Sequence, residues 1–200
     1  MKGRRPGSVS KIETSRLILR PWRNEDLSPY ARICADPEVM RYLSGTMTRD
    51  QAAGQMERWR RHWEERGFGV WAVEEKSSGT FISFIGLLYH KEWPEGEHKT
   101  EVGWRLDRSF WGRGLATEGA RVSLQHGFEE LGLERIISII HPKNVASRRV
   151  AEKAGLTLRG ETRFKGYDVI WYAIDRPEWN VDGPSSSERT SENPSRHFSE

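Results

Sequence analysis

One cysteine, Cys34, stands among 200 residues. It excludes an internal disulfide and a thiolate metal cluster, and it suits a reducing cytoplasm. No stretch of about 18 apolar residues is present, which excludes a membrane-spanning helix. No apolar run near the start has the form of a signal peptide. Charge of one sign is scarce as well: 32 Lys and Arg face 29 Asp and Glu, a net charge of +3. Taking away the +4 of the first eleven residues and the −2 of the last twenty leaves only +1 on Ile12–Asn180. A body so nearly neutral argues against a nucleic-acid-binding domain. Internal repeats are absent, and no G-x-x-x-x-G-K-[ST] or G-x-G-x-x-G fingerprint occurs.

The chain is rich in tryptophan and glycine, with 9 and 19 residues. Its length suits one domain with a core of its own. MKGRRPGSVS (residues 1–10) reads as a loose basic leader, with the domain beginning at Lys11, and residues 181–200 as a disordered Ser-rich tail. The domain between them, 11–180, reads as mixed α/β. Arg16–Trp22 is a first strand and Asn24–Ala35 a helix. A longer helix follows Thr48 as N-cap, runs to about Glu65 and stops at Gly67. Phe68–Glu75 and Thr80–His90 are strands joined at Ser78-Gly79. Glu101–Leu106 alternates, placing Val102, Trp104 and Leu106 on one face and Glu101, Gly103 and Arg105 on the other. Ala116, Ala120, Leu124, Phe128 and Leu131 mark a helix face. Arg135–Ile140 is apolar almost throughout, as in a strand covered on both sides. Asn144–Ala154 is a helix, and a hairpin of roughly Thr157–Phe164 and Asp168–Ile174 closes the domain. Strand, helix, strand, helix, hairpin implies a sheet with at least one crossover.

Between the Glu101 strand and the next helix lies FWGRGLATEG, residues 110–119. A glycine-rich turn feeding a helix N-terminus offers unpaired N–H groups and the positive end of the helix dipole, a site for phosphate oxygens. Arg113 adds a cation. The same residues also suit a tight strand-to-helix turn that holds no ligand. A second motif is Asn144-x-x-Ser147. Asn144 after Pro142 is a good N-cap, whereas Ser147 brings a hydroxyl onto the apolar face of Val150, Ala151 and Ala154.

EVGWRLDRSFWGRGLATEGA, followed by HPKNVASRRVAEKAGL, resembles the GCN5-related N-acetyltransferase (GNAT) superfamily, and within it the RimJ/RimL-like branch. The resemblance extends from about Thr14 (TSRLILRPW) to Ile174 and takes in RYLSGTMTRDQA. It implies a single domain whose mixed central sheet, flanked by helices, splays to admit acetyl-CoA. It also implies direct acetyl transfer to a primary amine, either a protein N-terminus or a small molecule, without a metal. Matched to the family pattern Q/R-x-x-G-x-G/A, the residues are Trp111, Gly112, Arg113, Gly114, Leu115 and Ala116, with Trp in place of Gln or Arg. The pyrophosphate would then lie on the amides from Trp111 to Thr117, and the pantetheine arm along Trp104, Arg105 and Leu106. Asn144 would contact the donor while capping its helix, and Ser147 would lie near the sulfur.

Many superfamily members place a tyrosine acid seven residues after this asparagine, where this chain has Ala151. Ser147 or water would fill that role, or the thiolate would leave unaided, since a thiol pKa of about 8.5 asks little help. Glu101 is the first candidate for the base, with Asp168 and His141 behind it. Lys165-Gly166-Tyr167 leaves unfilled a glutamate position that some relatives use. Trp22, Trp59, Trp71 and His90 are candidates for the acceptor pocket, as is Trp63. Arg58–Trp63 reads as a helix with its arginines in water and its tryptophans inward. Lys91–Glu97 reads as an exposed loop. Cys34 is no acyl carrier at its helical site. Two other function classes stay open at this point: an acyl-CoA-binding module without turnover, and a nucleic-acid binder that depends on the basic leader. The chain would act as a monomer or homodimer, with no nucleic acid or membrane as partner.

Overall fold

The computed structural model describes residues 11–179. The leader and the Ser-rich tail lie outside the described residues. In chain order the elements are β1 (Ile12–Glu13), β2 (Leu17–Arg20), α1 (Leu27–Ala35), α2 (Pro37–Met40), α3 (Arg49–Arg66), β3 (Val70–Glu75), β4 (Thr80–Tyr89), β5 (Thr100–Leu106), α4 (Leu115–Gln125), β6 (Arg135–Ile140), α5 (Val145–Ala154), β7 (Thr157–Phe164) and β8 (Tyr167–Asp175). The strands form one sheet in the order β1-β2-β3-β4-β5-β6-β8-β7. Every neighbouring pair is antiparallel except β5 and β6, which run parallel and are joined by the α4 crossover.

Local chemistry sets the helix ends. Thr48 and Gln51 form a reciprocal capping box at the start of α3, and Gly67 closes it in a left-handed conformation with its N–H on the Trp63 carbonyl. The Asn24 segment opens as a 3₁₀ turn, Asn24–Asp26, before α1 begins at Leu27. Asp26 holds that entry: its carboxylate takes two bonds from the Arg20 guanidinium at 2.8 and 2.7 Å and one from the Arg23 N–H at 2.7 Å. Arg20 and Asp26 are both buried, and Glu74 completes the cluster, so the cation is compensated inside the fold. The apolar face that begins on α4 continues past Gln125, but the backbone widens there into a π turn, His126–Glu130, that seats Phe128 in the core.

Alternation along the strands divides the core. On one face Val70, Ala72 and Phe84 meet α1 and α3 through Tyr30, Ile33, Met56 and Trp59. On the other, Leu87, Val102, Ile136 and Ile140 meet α4 and α5 through Ala120, Leu124, Ala151 and Ala154. Each fully buried Leu or Ile contributes about 1.5–3 kcal/mol. His62 stitches α3 to the sheet, with Nδ1 on the Phe68 carbonyl and Nε2 accepting the Tyr89 N–H. Burial keeps its pKa below the ordinary value of 6.5, in keeping with a neutral ring.

The segment Lys91–Glu97 departs from the expectation of a solvated loop. Trp93 is only 2% exposed and packs with Ile137, Phe164, Val169 and Ala173, roofing β6 and β8 on the α1/α3 side of the sheet. Its indole N–H reaches the Glu95 carbonyl at 3.1 Å, so the ring is buried without losing its hydrogen bond.

Candidate active site

Two neighbouring parallel strands normally exchange bonds along their length, yet β5 and β6 register only at Glu101 and Ile137. From Val102 to Leu106 no such register with β6 is made, and the sheet opens on that side. On its other side β5 stays fully paired with β4, from Thr100↔Tyr89 to Leu106↔Ser83. The opening leads to the FWGRG turn. Trp111, 46% exposed, donates its indole N–H to the Leu106 carbonyl at 2.9 Å and so pins the turn to the end of β5.

Gly112 and Gly114 then take φ of +72° and +77°, a conformation that costs other residues about 1–2 kcal/mol. Gly114 is the N-cap of α4 and brings no side chain to satisfy the first-turn amides. A helix of eleven residues thus begins with open donors beside the gap in the sheet. Above Gly112 there is free space, since a methyl group placed there would meet nothing within 4 Å.

The cations around the turn are already engaged. Arg113 pairs with Glu75 of β3, so its side chain ties the turn to the sheet. Arg16 spans the Glu118 carboxylate (Nε to Oε2, 2.6 Å) and the Arg113 carbonyl (Nη1, 2.8 Å). Glu118 also accepts from Thr14 Oγ1, Ser15 Oγ and the Arg16 N–H at 2.6, 3.1 and 2.9 Å. Burial alone would raise its pKa, but these hydrogen bonds outweigh burial and hold it below 4.5. The first turn of α4 is thereby strapped to the start of β2.

At the other end of the opening stands Glu101. Its Oε2 lies 2.5 Å from His90 Nε2, and its Oε1 accepts the Ile139 N–H at 3.2 Å. Both side chains are 15% exposed. Phe164 sets its edge against the His90 ring at 5.4 Å and against Trp93 at 5.3 Å, so one side of the pair is apolar. The carboxylate therefore sits at the hinge where β5 and β6 part, partly desolvated and hydrogen-bonded to a histidine. That is a suitable place to accept a proton.

Asn144 caps α5 through its Oδ1 on the Ser147 N–H at 3.1 Å. The Ser147 hydroxyl is half-buried and makes no hydrogen bond among the described residues. Ala151 is fully buried against α4 and the sheet. His141 accepts the Lys143 N–H at Nδ1 and lies against Tyr42, with ring centroids 5.2 Å apart. Asp168 is exposed on β8 opposite Arg163. Lys165-Gly166 forms the β7–β8 turn, and Tyr167 points into solvent at 53% exposure.

The tryptophans expected around an acceptor are core residues. Trp71 has no exposed surface and packs edge-on against Trp63 and His126, which corrects its assignment to the pocket. Trp22 and Trp59 are buried against each other and Phe84, and Trp22 and Trp63 both donate to the Val70 carbonyl. His90 is the pocket candidate that reaches the opening. Two further neighbours of the site, Tyr30 and Gln55, carry no motif of their own and meet the side chain of Arg105. A separate cavity of 240 Å³, lined by Lys11, Ile18, Arg20, Pro21, Arg23 and Glu74, lies at the β1–β2 edge and touches none of this machinery.

Comparison with known proteins adds an independent line. The family model described as an acetyltransferase (GNAT) domain matches residues 16–157. The FsC-acetyl coenzyme A-N(2)-transacetylase of Aspergillus fumigatus is 33% identical over 184 residues, covering 84% of this chain and 77% of that protein. The uncharacterized N-acetyltransferase YnaD of Bacillus subtilis is 31% identical over 177 residues, covering 84% of this chain and 99% of that protein. The crystal structure of an acetyltransferase from Agrobacterium tumefaciens has a TM-score of 0.74 at 28% identity, covering 87% and 99% of the two chains.

Proposed function

The chain belongs to the GNAT acetyltransferase family, and on that premise we propose that it passes the acetyl group of acetyl-CoA directly to a primary amine held over β5, with Glu101 as the base. One observation carries the reading. The uncapped start of α4 and the Glu101–His90 pair stand at the two ends of a single opening in the sheet. The amides of the Trp111–Thr117 turn would hold the donor's pyrophosphate, and the free edge of β5 from Trp104 to Leu106 its pantetheine arm. The fit rests on the open space above Gly112 and on first-turn donors that no side chain caps. The RimJ/RimL-like assignment within the family rests on the quoted motifs.

An amine must be neutral to attack. At pH 7 about a tenth of an α-amine is free base, and less than about a thousandth of a lysine amine. Glu101 takes the remaining proton, and His90 holds the carboxylate and offers the next station for it. As the new N–C bond forms and the C–S bond breaks, a β5 backbone N–H donates to the carbonyl oxygen. Ser147, with an unengaged hydroxyl, meets the departing sulfur.

The test is CoA release from acetyl-CoA with a panel of primary amines, run with the wild type and Glu101→Gln. The variant should lose rate most at low pH, where little free amine is present, while its affinity for acetyl-CoA is nearly unchanged. An unaltered pH–rate profile would remove Glu101 from the mechanism. Tight donor binding with no CoA release from any amine would favour a binding module instead.

A further inference from the structure

Arg105 is four residues beyond Glu101 on β5 and shares its face, with Gly103 between them. Its surroundings are unusual for a cation. Nη1 donates to Tyr30 Oη at 2.9 Å, to Cys34 Sγ at 3.2 Å and to Gln55 Oε1 at 3.4 Å, and the Phe84 ring lies 5.1 Å from the guanidinium carbon. All of these partners are uncharged. Tyr30, whose pKa burial pushes well above that of a free tyrosine, stays a neutral phenol and donates its own proton to Gln55. Among the described residues no carboxylate pairs with Arg105, and its Nε is buried without a partner. Arg20, by contrast, is buried with two carboxylates. Arg105 is half-buried rather than sealed off, so its guanidinium, which lacks a counter-charge among the described residues, is open to an anion from outside the fold.

The floor beside it is bare. A methyl group on Gly103 would meet nothing nearer than Glu101 Cδ at 3.9 Å. One strand face thus presents a carboxylate, a glycine and an uncompensated guanidinium in line. With Cα atoms four residues apart, the two charged positions are separated by about 13 Å.

We infer that Arg105 binds a carboxylate on the acceptor, so that the preferred substrate is an amine carrying an acid group several bonds away. This rests on the acetyltransferase reading above and narrows its substrate class. The ruler excludes α-amino acids acetylated at their own α-amine, whose two groups are too close to engage both ends. An ω-amino acid and a peptide with an acidic side chain near its N-terminus share the required chemistry.

Matched acceptors decide it. CoA release is followed for the wild type with ε-aminocaproate and its amide, and with the C-terminally amidated peptides Ala-Glu-Ala and Ala-Gln-Ala. The carboxylate member of at least one pair should have a kcat/KM about 10- to 100-fold higher, the range of one charge-assisted hydrogen bond, with the gain in KM. Which pair responds identifies the source of the acid. In Arg105→Gln that ratio should fall close to one, and Arg105→Lys should restore part of it. Should loss of the Tyr30, Cys34 and Gln55 contacts unfold Arg105→Gln, the wild-type ratios still decide. Equal use of both members of both pairs would overturn the inference and leave the acetyltransferase reading standing. Absence of CoA release with any amine would defeat that reading, and the inference with it.

Discussion

Replacing Gly114 by alanine asks whether the left-handed turn at the start of α4 is what holds the donor. The added methyl would meet Arg16 Nη2 at 3.5 Å, an ordinary contact, so no clash is introduced. The whole effect must come from φ +77°, which costs an L residue about 1–2 kcal/mol. That cost can appear in two places. If the turn keeps its shape, the fold becomes less stable by about that amount, a fall of roughly 2–4 °C in Tm for each kcal/mol in a chain of this size. If the backbone relaxes, the amides turn away and acetyl-CoA binds more weakly, about tenfold for each 1.4 kcal/mol. Calorimetric titration with acetyl-CoA and thermal unfolding on the same samples measure both, and the two losses together should reach at least about 1 kcal/mol. Gly132 provides the control, since its φ is +70° with free space around it and it precedes the start of β6, whereas the FWGRG turn follows the end of β5. Gly132→Ala should lose stability and keep its affinity. Gly114→Ala with unchanged Tm and unchanged affinity would refute the reasoning, because neither the strain nor the binding role would then be real.

Ser83 has φ +111° at the bulge between β3 and β4, and its hydroxyl is buried without a partner. Ser83→Gly should therefore raise stability by about 1 kcal/mol in a denaturant titration, and Ser83→Ala, which keeps the strain, by less. The depressed pKa of Glu118 makes a stability contribution that is complete above its ordinary value of 4.5 and is lost as pH falls through the lower folded value. Glu75 and Asp175 act in the same direction. Unfolding followed from pH 7 down to pH 3 should show wild-type stability falling below about pH 4.5, and Glu118→Gln should start lower and fall less. A parallel decline in both proteins would mean that the strap from Thr14, Ser15 and Arg16 contributes nothing. Trp93→Ala should cost about 3–5 kcal/mol, since the ring fills the space over β6 and β8. A loss under 1 kcal/mol would mean the loop segment is a passive cover.

What could be read from the sequence was local. Thr48 and Gln51 cap a helix because they are three residues apart, and Gly67 ends it through its own backbone freedom. Arg135–Ile140 is the strand its apolar run announces, with the same bounds. Alternation put Glu101 and Arg105 on one face of β5, which is where they are. What covers that face comes from far away in the chain. Tyr30 and Gln55 precede Arg105 by 75 and 50 residues, and no spacing rule brings them there. The same distance hid the real place of the tryptophans. A ring buried in a core and a ring lining a pocket have the same composition, and only the packing of α3 on the sheet separates Trp71 from the site.

His90 and Glu101 illustrate how register turns two unremarkable residues into one device. Antiparallel pairing of β4 with β5 sets Tyr89 opposite Thr100 and Leu88 opposite Glu101. His90 therefore emerges just past the end of the ladder, with its N–H on the Lys99 carbonyl, within reach of the carboxylate. Trp93 then fixes the departing chain by donating its N–H to the His90 carbonyl. Shift β5 by one residue against β4 and Glu101 turns from the opening toward α4, away from His90. The Glu101–His90 contact is thus set by the strand pairing that also opens the sheet, and the proposed base, placed by sheet register, cannot drift without the fold giving way first.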